Sequence, residues 1–374
     1  MGPTRRPRSH ATIASPVKLI IQIPCKNEEE FLPVTLRELP REVPGIDTVE
    51  WLVIDDGSSD RTVDVARSGG VDHIVRLTNN KGLAAAFMAG LDASLKLGAD
   101  IIVNTDADNQ YKGSDIPKLV EPILRGDADM VVGDRVVSQV EHFSPLKRRL
   151  QELGSAVVRR ASDTNVPDTT SGFRAYNREA ALQVTVVSRF TYTLESIIQA
   201  GKMLVAVDHV AIGTNPKMRD SRLFPSMWSY VRRNAVSIFR IYSMYEPLRV
   251  FMMAAGIVGV AAAAIWIRYL VLAIEGSGRG HIQSVIVGAV LVIAAIQLAA
   301  IGVVADILAG VRTIQQRTLE RVRRVELQLG VEPSHYEPGA STPYGAAEQQ
   351  PPTTGAEAGP ATGKPDPDRE TVGL

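Results

Sequence analysis

The 374-residue sequence has few cysteines, few aromatic residues and no net charge. Its one cysteine, Cys25, excludes an intramolecular disulfide and a zinc site built from several cysteines, and it favours a reducing compartment. Aromatic residues make up 5% of the chain, and 41 acidic residues match the 41 basic ones. This balance argues against a nucleic-acid binder held by a general basic surface, so we predict no nucleic-acid partner.

Two long uncharged segments predict a membrane protein. Val250–Ile267 runs for 18 residues without a charge, and Val285–Ala305 runs for 21. A helix needs about 20 apolar residues to cross a bilayer, and small residues in both segments suit close helix packing in lipid. Two buried core helices are the alternative interpretation. We predict two transmembrane helices within residues 250–311 and see no signal peptide.

Basic residues around these segments predict the orientation. Nine arginines flank the spans: Arg232, Arg233, Arg240 and Arg249 before the first, and Arg312, Arg317, Arg321, Arg323 and Arg324 after the second. The loop between the spans holds only Arg279, with Arg268 near the end of the first span. Because basic residues concentrate on the cytoplasmic side, we expect a plasma-membrane protein with both termini and the N-terminal domain in the cytoplasm.

Residues 16–225 form the predicted N-terminal domain, in which short apolar runs alternate with helix-like segments. The predicted strands are 17–23, 49–54, 73–77, 100–104 and 130–132, and the predicted helices are 28–39, 60–67 (capped by Asp60), 82–97 and 114–124. This alternation predicts an α/β fold with a mostly parallel sheet and helices on both faces. Ligands of such sheets bind at the carboxyl ends of the strands.

The remaining zones are predicted from composition. Residues 1–15 resemble a mobile basic arm, and residues 331–374, rich in Pro, Gly, Thr and Glu, are expected to be disordered. Residues 226–249 interleave aromatic rings with arginines, which predicts an amphipathic helix at the membrane surface or an ordinary soluble helix. Residues 312–330 predict a charged cytoplasmic helix, either solvated or in contact with a second subunit of a homo-oligomer.

Acidic residues follow two of the predicted strands. Asp106 and Asp108 come after the strand at 100–104, and the alternation of an extended chain points both carboxylates the same way. Two such carboxylates suit Mg²⁺ or Mn²⁺, and Gln110 continues the same alternation with a carbonyl oxygen. A solvated acidic turn is the alternative.

Other strand ends offer candidates for binding a nucleotide. The first strand leads into Pro24, Asn27 and Glu28, and the second ends at Asp55 and Asp56, which suit base and ribose groups. Lys81 precedes a helix whose N-terminus favours a diphosphate. Each has a turn or cap role as its alternative. The chain contains no G-x-x-x-x-G-K-[ST] motif and no G-x-G-x-x-G after the first strand, which excludes two common nucleotide folds.

Six motifs in order carry a family resemblance: I-P-C-K-N-E-E, V-I-D-D-G-S-S-D-R-T, N-K-G-L-A-A-A, T-D-A-D-N-Q, V-V-G-D-R and S-G-F-R-A-Y. Together they resemble the family-2 inverting glycosyltransferases of the GT-A fold, and more narrowly the polyprenyl-phosphate (dolichyl-phosphate) sugar synthases. The resemblance covers about residues 17–225. One branch of that family also has two C-terminal membrane helices, which extends it to about residue 310.

The resemblance implies roles for individual residues. The nucleotide of a UDP- or GDP-sugar would contact Pro24, Asn27, Glu28, Asp55, Asp56, Lys81 and Asp106. A Mg²⁺ or Mn²⁺ ion would be held by Asp106, Asp108 and Gln110, and catalysis would rest on Asp106, Asp108 and Arg135. The phosphate of a polyprenyl acceptor would contact Arg135, Ser171, Arg174, Lys217 and Arg222, the last in a loop where the family has a lysine. The position ahead of Asp168, often basic in the family, is Val166-Pro167 here.

The chemistry agrees with this resemblance. A lipid monophosphate has a second pKa of about 6 and is already an anionic nucleophile, so alignment and charge suffice without a strong base. Three alternatives stay open: an acceptor hydroxyl of diacylglycerol or a glycolipid, with Asp168 as its base; a processive polysaccharide synthase, although its Q-x-x-R-W string is absent; and an inactive scaffold acting as a membrane adaptor.

Overall fold

A computed structural model describes residues 16–135, 155–160, 162–186, 192–216, 236, 239–240, 242–275 and 281–339. The strands are β1 Lys18–Cys25, β2 Thr48–Asp55, β3 His73–Arg76, β4 Ile101–Asn104, β5 Met130–Asp134, β6 Arg174–Asn177, β7 Val207–Ala211 and β8 Tyr336–Pro338. The helices are α1 Leu32–Glu38, α2 Thr62–Ser68, α3 Leu83–Lys96, α4 Ile116–Leu124, α5 Arg178–Gln183, α6 Tyr192–Lys202, α7 Pro247–Ile274 and α8 Ile282–Gln328. A 3₁₀ turn at Gly113–Asp115 precedes α4, and residues 155–160 are also helical.

The strands form one sheet in the order β7-β5-β6-β4-β1-β2-β3-β8. Strand β1 pairs in parallel with β2 and β4, β2 with β3, and β5 with β7. Strands β6 and β8 run antiparallel to their neighbours. The order reverses at β1, with β2 and β3 on one side and β4 on the other. The prediction of an α/β fold with a mostly parallel sheet is therefore confirmed, and the reversal marks the edge where a ligand binds.

The core has a layer on each face of the sheet. Leu19, Ile21 and Ile23 of β1 belong to one buried cluster, whereas Ile20 belongs to the other. This alternation follows from the two-residue period of a strand. Because helices cover both faces, β1 is buried from Leu19 onward, as is typical of central parallel strands.

The predicted elements between residues 17 and 132 are all present, with shifted ends. The largest shift is in α1, which begins at Leu32 instead of residue 28. Pro33 lies in its first turn, where a missing N–H costs little, and the preceding residues form a turn in which Leu32 N–H donates to the Glu28 carbonyl at 2.9 Å. Asp60 lies just ahead of the N-cap of α2 and accepts from the Thr62 N–H at 3.0 Å.

Helices α7 and α8 are long and apolar enough to cross a membrane. Their most apolar windows have mean hydropathies of 2.3 and 2.6, and only 11% of each window is buried. Gly288 of α8 lies against Trp266 of α7, since a Cβ there would be 2.0 Å from the indole nitrogen. Gly302 packs on Phe251 in the same way, with 2.9 Å to its Cβ. Small residues thus let the two helices approach closely, as predicted.

Helix α8 is one continuous helix of 47 residues, about 70 Å long. The separate helix predicted at 312–330 is its C-terminal part. One face of this part docks on the N-terminal domain, which neither predicted environment included, and the other face is exposed. The Arg323 guanidinium donates to the carbonyls of Leu182 and Val184 at 2.9 and 2.8 Å. The apolar positions that suggested a subunit contact, including Leu319 and Val322, face away and are exposed.

Strand β8 corrects one prediction. Residues 336–338 lie within the tail expected to be disordered from residue 331, yet they pair antiparallel with β3. Disorder is therefore the wrong prediction for these residues. The reason is tertiary: three residues have no apolar period of their own, but the open edge of β3 supplies the hydrogen-bonding partner.

Candidate active site

The carboxyl ends of β1, β2 and β4 gather the acidic residues around Cys25. Cys25 pairs with Asp55 across β1 and β2, and Gln22 pairs with Asn104 across β1 and β4. Burial raises the pKa of the Cys25 thiol well above its usual range, and nearby carboxylates raise it further, among them Asp55 and Asp106. Both acidic clusters predicted from the sequence therefore face one edge of the sheet.

Asn27 and Glu28 connect the β1 loop to the β2 loop. Asn27 has a positive φ of 53°, its N–H donates to Ser58 Oγ at 2.9 Å, and its Oδ1 accepts from the Ser59 N–H at 2.8 Å. The Glu28 N–H donates to Thr62 Oγ1 at 2.8 Å. Pro24 is buried within β1. These residues thus shape the loop at the carboxyl end of β1.

Asp55 and Asp56 have different surroundings. The two oxygens of Asp56 accept from the backbone N–H groups of Lys81 and Gly82 at 2.6 and 2.9 Å. The backbone N–H groups just before α3 therefore already donate to the Asp56 carboxylate. This weakens the expectation that the backbone around Lys81 binds a diphosphate. The Lys81 side chain remains exposed. Asp56 acts mainly as a clamp on this turn, where Gly82 has a φ of 94°.

Asp55 faces a cavity of about 440 Å³. Its Oδ1 accepts from the Ser58 N–H at 3.0 Å. Its Oδ2 is buried and has no hydrogen-bond partner within the described part of the chain, although Arg76 Nε lies 3.7 Å away. Residues 57–58, 76–78 and 335–337 complete the lining. A buried acceptor beside a guanidinium suits a polar planar group.

Asp106, Asp108 and Gln110 are partly exposed, whereas the intervening Ala107 and Asn109 are buried. The chain turns after β4 instead of remaining extended, but the predicted alternation of the three side chains holds. Gly172 lies beside Asp106: a Cβ at position 172 would be 3.3 and 3.4 Å from the two carboxylate oxygens. Glycine at 172 thus leaves room next to this carboxylate.

These residues fit a hard divalent cation. The described residues contain no group of three or more His, Cys, Asp or Glu side chains that would enclose a metal. Mg²⁺ commonly needs only one or two carboxylates, because water and substrate phosphates complete its shell. The two aspartates and the Gln110 carbonyl meet that requirement with oxygen donors alone.

A buried layer holds the Gly172 loop in place. The Asn104 amide donates to the Gly172 carbonyl and contacts the Tyr192 hydroxyl, both at 2.9 Å. The Gly172 N–H donates to the Tyr111 hydroxyl at 3.0 Å. Burial raises the pKa of Tyr111 to about 12; the Arg135 guanidinium opposes this rise, and Asp106 and Asp168 add to it. The charges of Asp106, Arg135 and Asp168 therefore all act on Tyr111.

Arg135 and Asp168 form a bidentate ion pair. Arg135 Nε and Nη2 donate to the two Asp168 oxygens at 2.6 and 3.0 Å, and Nη2 also donates to Thr170 Oγ1 at 2.9 Å. Asp168 is fully buried and the Arg135 side chain is 14% exposed. Burial raises the pKa of Asp168, but the charge and hydrogen bonds of Arg135 and Thr170 outweigh it, so the pKa is lowered overall.

Ser171 and Arg174 are both fully buried, which argues against the phosphate contacts expected for them. The Arg174 guanidinium donates to the carbonyls of Thr169, Ser171 and Thr193 and to Ser196 Oγ, at 2.7–3.0 Å. Because the guanidinium donates four hydrogen bonds to oxygens of the protein itself, Arg174 has a structural role. It fixes the loop that carries Asp168 and Gly172.

Lys217 and Arg222 lie outside the described residues. The described chain reaches Pro216, and just before it the Asn215 N–H donates to the Gln110 carbonyl at 3.0 Å. The sequence motifs also missed Asn104, Tyr111 and Arg76. The sequence does offer an indication for Asn104, since it is a polar residue at the end of an apolar strand. It offers no such indication for Arg76 and Tyr111, because only the folded sheet brings these residues to the site.

Comparisons with known proteins agree on one family. The sequence profile of "Glycosyl transferase family 2" matches residues 20–185. An undecaprenyl-phosphate mannosyltransferase from Micrococcus luteus is 32% identical over 169 residues, which are 44% of this chain and 68% of that protein. A polyprenol monophosphomannose synthase from Mycolicibacterium smegmatis is 30% identical over 176 residues, 45% of this chain and 65% of that protein. A solved structure of glucosyl-3-phosphoglycerate synthase from Mycobacterium tuberculosis, with Mn²⁺ and UDP, is 20% identical, covers 61% of this chain and 80% of that chain, and has a TM-score of 0.49.

Proposed function

The chain belongs to glycosyl transferase family 2, and from this premise we propose that it transfers a sugar from a UDP- or GDP-linked donor to polyprenyl monophosphate at a membrane. Direct attack of the lipid phosphate on the anomeric carbon would invert that centre. The observation that carries the choice of acceptor is the buried Arg135–Asp168 pair. Together with the two apolar helices, it favours a lipid phosphate over a lipid hydroxyl.

A hydroxyl acceptor needs a base, and Asp168 was the candidate in the sequence. Its carboxylate is buried, has both oxygens bonded to Arg135, and has a lowered pKa. Such a group is a poor proton acceptor near neutral pH. A phosphate monoester with a second pKa of about 6 needs no base. The site is therefore better suited to a phosphate nucleophile.

The donor is proposed to span the carboxyl edge from β2 to β4. Asn27, Glu28, Asp55 and Asp56 border the nucleoside end, and Asp106, Asp108 and Gln110 border the diphosphate end. A Mg²⁺ or Mn²⁺ ion held by these oxygens would offset the charge of the leaving diphosphate. The protein's own contribution is orientation: Gly172 and Tyr111 set the position of the loop opposite Asp106.

On the acceptor side, we propose Arg135 as the phosphate contact within the described residues, with Lys217 and Arg222 adding positive charge. Asp168 holds the guanidinium in one orientation, so Arg135 reaches the acceptor without losing side-chain entropy. Ser171 and Arg174 support this loop from beneath. Their contribution is positioning.

The two apolar helices are proposed to bring the acceptor to the site. Exposed side chains along both helices, such as Ile257 at 67%, Val260 at 71% and Ile286 at 60%, leave a surface suited to lipid. The Arg312 guanidinium at the domain end of the apolar part of α8 contacts Glu195 of α6 at 3.3 Å. A rigid link of this kind keeps the site close to the headgroup layer.

A transfer assay tests the proposal. Full-length protein in vesicles receives labelled UDP- or GDP-sugars, Mg²⁺ or Mn²⁺ and polyprenyl monophosphate, and label is measured in the organic phase. We expect one donor to label the lipid in a product released by mild acid, and Asp108→Asn to reduce the rate at least about 100-fold. Asp127→Asn, at an exposed carboxylate distant from the site, serves as the matched control.

Two outcomes would contradict parts of this proposal. Label on diacylglycerol or a glycolipid but not on polyprenyl phosphate would reject the phosphate acceptor while retaining the transferase. Absence of transfer to every acceptor, with folded protein and bound donor, would favour the inactive adaptor. Removal of divalent metal with a chelator is expected to abolish transfer and leave folding unchanged.

A further inference from the structure

The cavity beside Asp55 has a wall that neither the sequence motifs nor the relatives assign. We propose that the segment 335–337, which follows α8, forms part of the binding site for the donor's nucleoside. This inference rests on the proposed function. It makes the C-terminal end of the described chain a donor-binding element in addition to an edge strand.

Position in the sheet supports a nucleoside as the occupant. Strand β8 lies beyond β3, on the side of the sheet opposite to β4 and its Asp106 and Asp108. Strands lie about 4.8 Å apart, so the cavity, which extends from the end of β2 to β8, lies about 10–19 Å from β4. That separation matches a nucleoside whose diphosphate reaches the two aspartates.

The polar groups in the cavity also point to a ligand. Asp55 is fully buried, and its Oδ2 has no hydrogen-bond partner within the described residues. A buried acceptor without a hydrogen-bond partner is costly, and the ion pair with Arg76 is too long to be a hydrogen bond, which indicates a group supplied by a ligand or water. Arg76 Nε, 3.7 Å away, places a donor beside it. Uracil and guanine both carry an N–H next to a carbonyl and suit this pair.

The segment is held firmly in this position. Val75 pairs with Tyr336, and the Arg76 N–H donates to the His335 carbonyl at 2.9 Å. The Tyr336 hydroxyl lies 2.9 Å from His73 Nδ1, and Glu337 forms an ion pair with Arg67. The wall is therefore built from both backbone and side-chain contacts.

His335 begins the wall, and Gly339 lies two residues beyond its last residue. His335 has a φ of 59°, an uncommon conformation for a residue other than glycine, which turns the chain at the cavity. Gly339 lies so close to β3 that an added Cβ would be 1.9 Å from the Val71 carbonyl oxygen. A side chain at 339 must displace the strand, whereas a change at 335 alters only the lining.

The experiment measures binding of UDP and GDP to the full-length protein by calorimetry, in the presence of Mn²⁺ and without lipid acceptor. Gly339→Ala is expected to raise the dissociation constant of the preferred nucleotide about tenfold and to speed hydrogen exchange of the Arg76 amide. His335→Ala is expected to weaken binding while the Arg76 amide stays protected. The Michaelis constant for polyprenyl phosphate should not change.

Two control variants distinguish an effect on the proposed binding segment from a general loss of protein stability. Gly310→Ala adds a methyl group in α8 where no atom lies within 4 Å, and Glu332→Ala removes an exposed side chain three residues before the segment. Both should bind nucleotide as the unaltered protein does. If Gly339→Ala exposes the Arg76 amide yet neither it nor His335→Ala changes nucleotide affinity, β8 only covers an edge and the inference is wrong. If the unaltered protein binds neither UDP nor GDP, the proposed donor class and this inference both fail.

Discussion

At the scale of single residues, the Arg135–Asp168 pair combines two demands. Asp168 is buried and ionised, so the positive charge of the Arg135 guanidinium offsets the cost of burying its carboxylate. Asp168 in turn fixes the orientation of the Arg135 side chain. Thr170 accepts from the same guanidinium at 2.9 Å and completes the arrangement. The proposed acceptor contact and the stability of the fold are therefore coupled at this position.

The first prediction concerns the stability of this pair. Arg135→Ala leaves a buried carboxylate without its partner, and we expect a loss of about 3–5 kcal/mol in the free energy of unfolding. Arg125→Ala breaks a pair with Asp127 whose side chains are 57% and 60% exposed, and should cost at most about 1 kcal/mol. Chemical denaturation followed by circular dichroism measures both. Equal losses would show that burial of the Arg135 pair has no energetic role.

The second prediction concerns pH. The pKa of Asp168 is lowered on folding, so its contribution to stability is present above the unfolded pKa of about 3.9 and is lost as the pH falls through the lower folded pKa. Asp168 thus stays ionised throughout the neutral range. The ratio kcat/KM for the lipid acceptor should instead fall tenfold per unit below about pH 6, because protonation makes the phosphate a weaker nucleophile.

Steady-state rates measured between pH 4.5 and 8 test the predicted fall of kcat/KM, and circular dichroism confirms that the protein stays folded over this range. A rate that is constant down to pH 4.5 would contradict a titrating phosphate nucleophile. Such a result would favour a hydroxyl group as the acceptor.

At the scale of elements, α8 joins the apolar segment to the N-terminal domain. Its domain end contacts α5 and α6 through Arg323, Arg324 and Arg312, and Leu327 of the same helix packs against the buried core of the domain. Burial lowers the pKa of Arg323, although nearby Asp92 and Glu326 oppose the shift. The Arg323 guanidinium donates hydrogen bonds to the carbonyls of Leu182 and Val184 at the C-terminal end of α5.

The third prediction removes that contact. Arg323→Ala leaves two carbonyls at the end of α5 without their donor, and we expect a loss of about 1–3 kcal/mol and faster hydrogen exchange in residues 178–186. Arg321→Ala, at an exposed position on the same helix, is the control and should change neither quantity. Unchanged exchange in the Arg323 variant would mean that the docking is held by other contacts.

At the scale of the whole molecule, the catalytic edge, the two apolar helices and β8 belong to one compact unit, residues 1–341. Crossing a membrane with α7 and α8 places the loop between them on one side and the catalytic domain on the other. The distribution of arginine predicts the cytoplasm for the domain. Substrate access therefore depends on this orientation.

The fourth prediction tests that orientation with single cysteines. Ser277→Cys in the loop should react with a membrane-impermeant maleimide on intact cells, and Glu332→Cys should react only after permeabilisation. The native Cys25 is 2% exposed and should stay unlabelled in the folded protein, which makes it an internal control. The reverse labelling pattern would place the catalytic domain outside.

The sequence alone determined the parallel sheet, the two apolar helices and the acidic strand ends. These follow from local chemistry: apolar period, uncharged length and turn residues are properties of neighbours in the chain. Its motifs also predicted that Asp55 and Asp106 lie at the same edge of the sheet, as they do. Only the tertiary structure decided that Asp168 is neutralised by Arg135, that Arg174 is structural, and that residues 336–338 form a strand. The partners of Asp168 and of Tyr336 lie 33 and 263 positions away, and the partners of Arg174 lie up to 22 positions away, so no local pattern encodes these contacts.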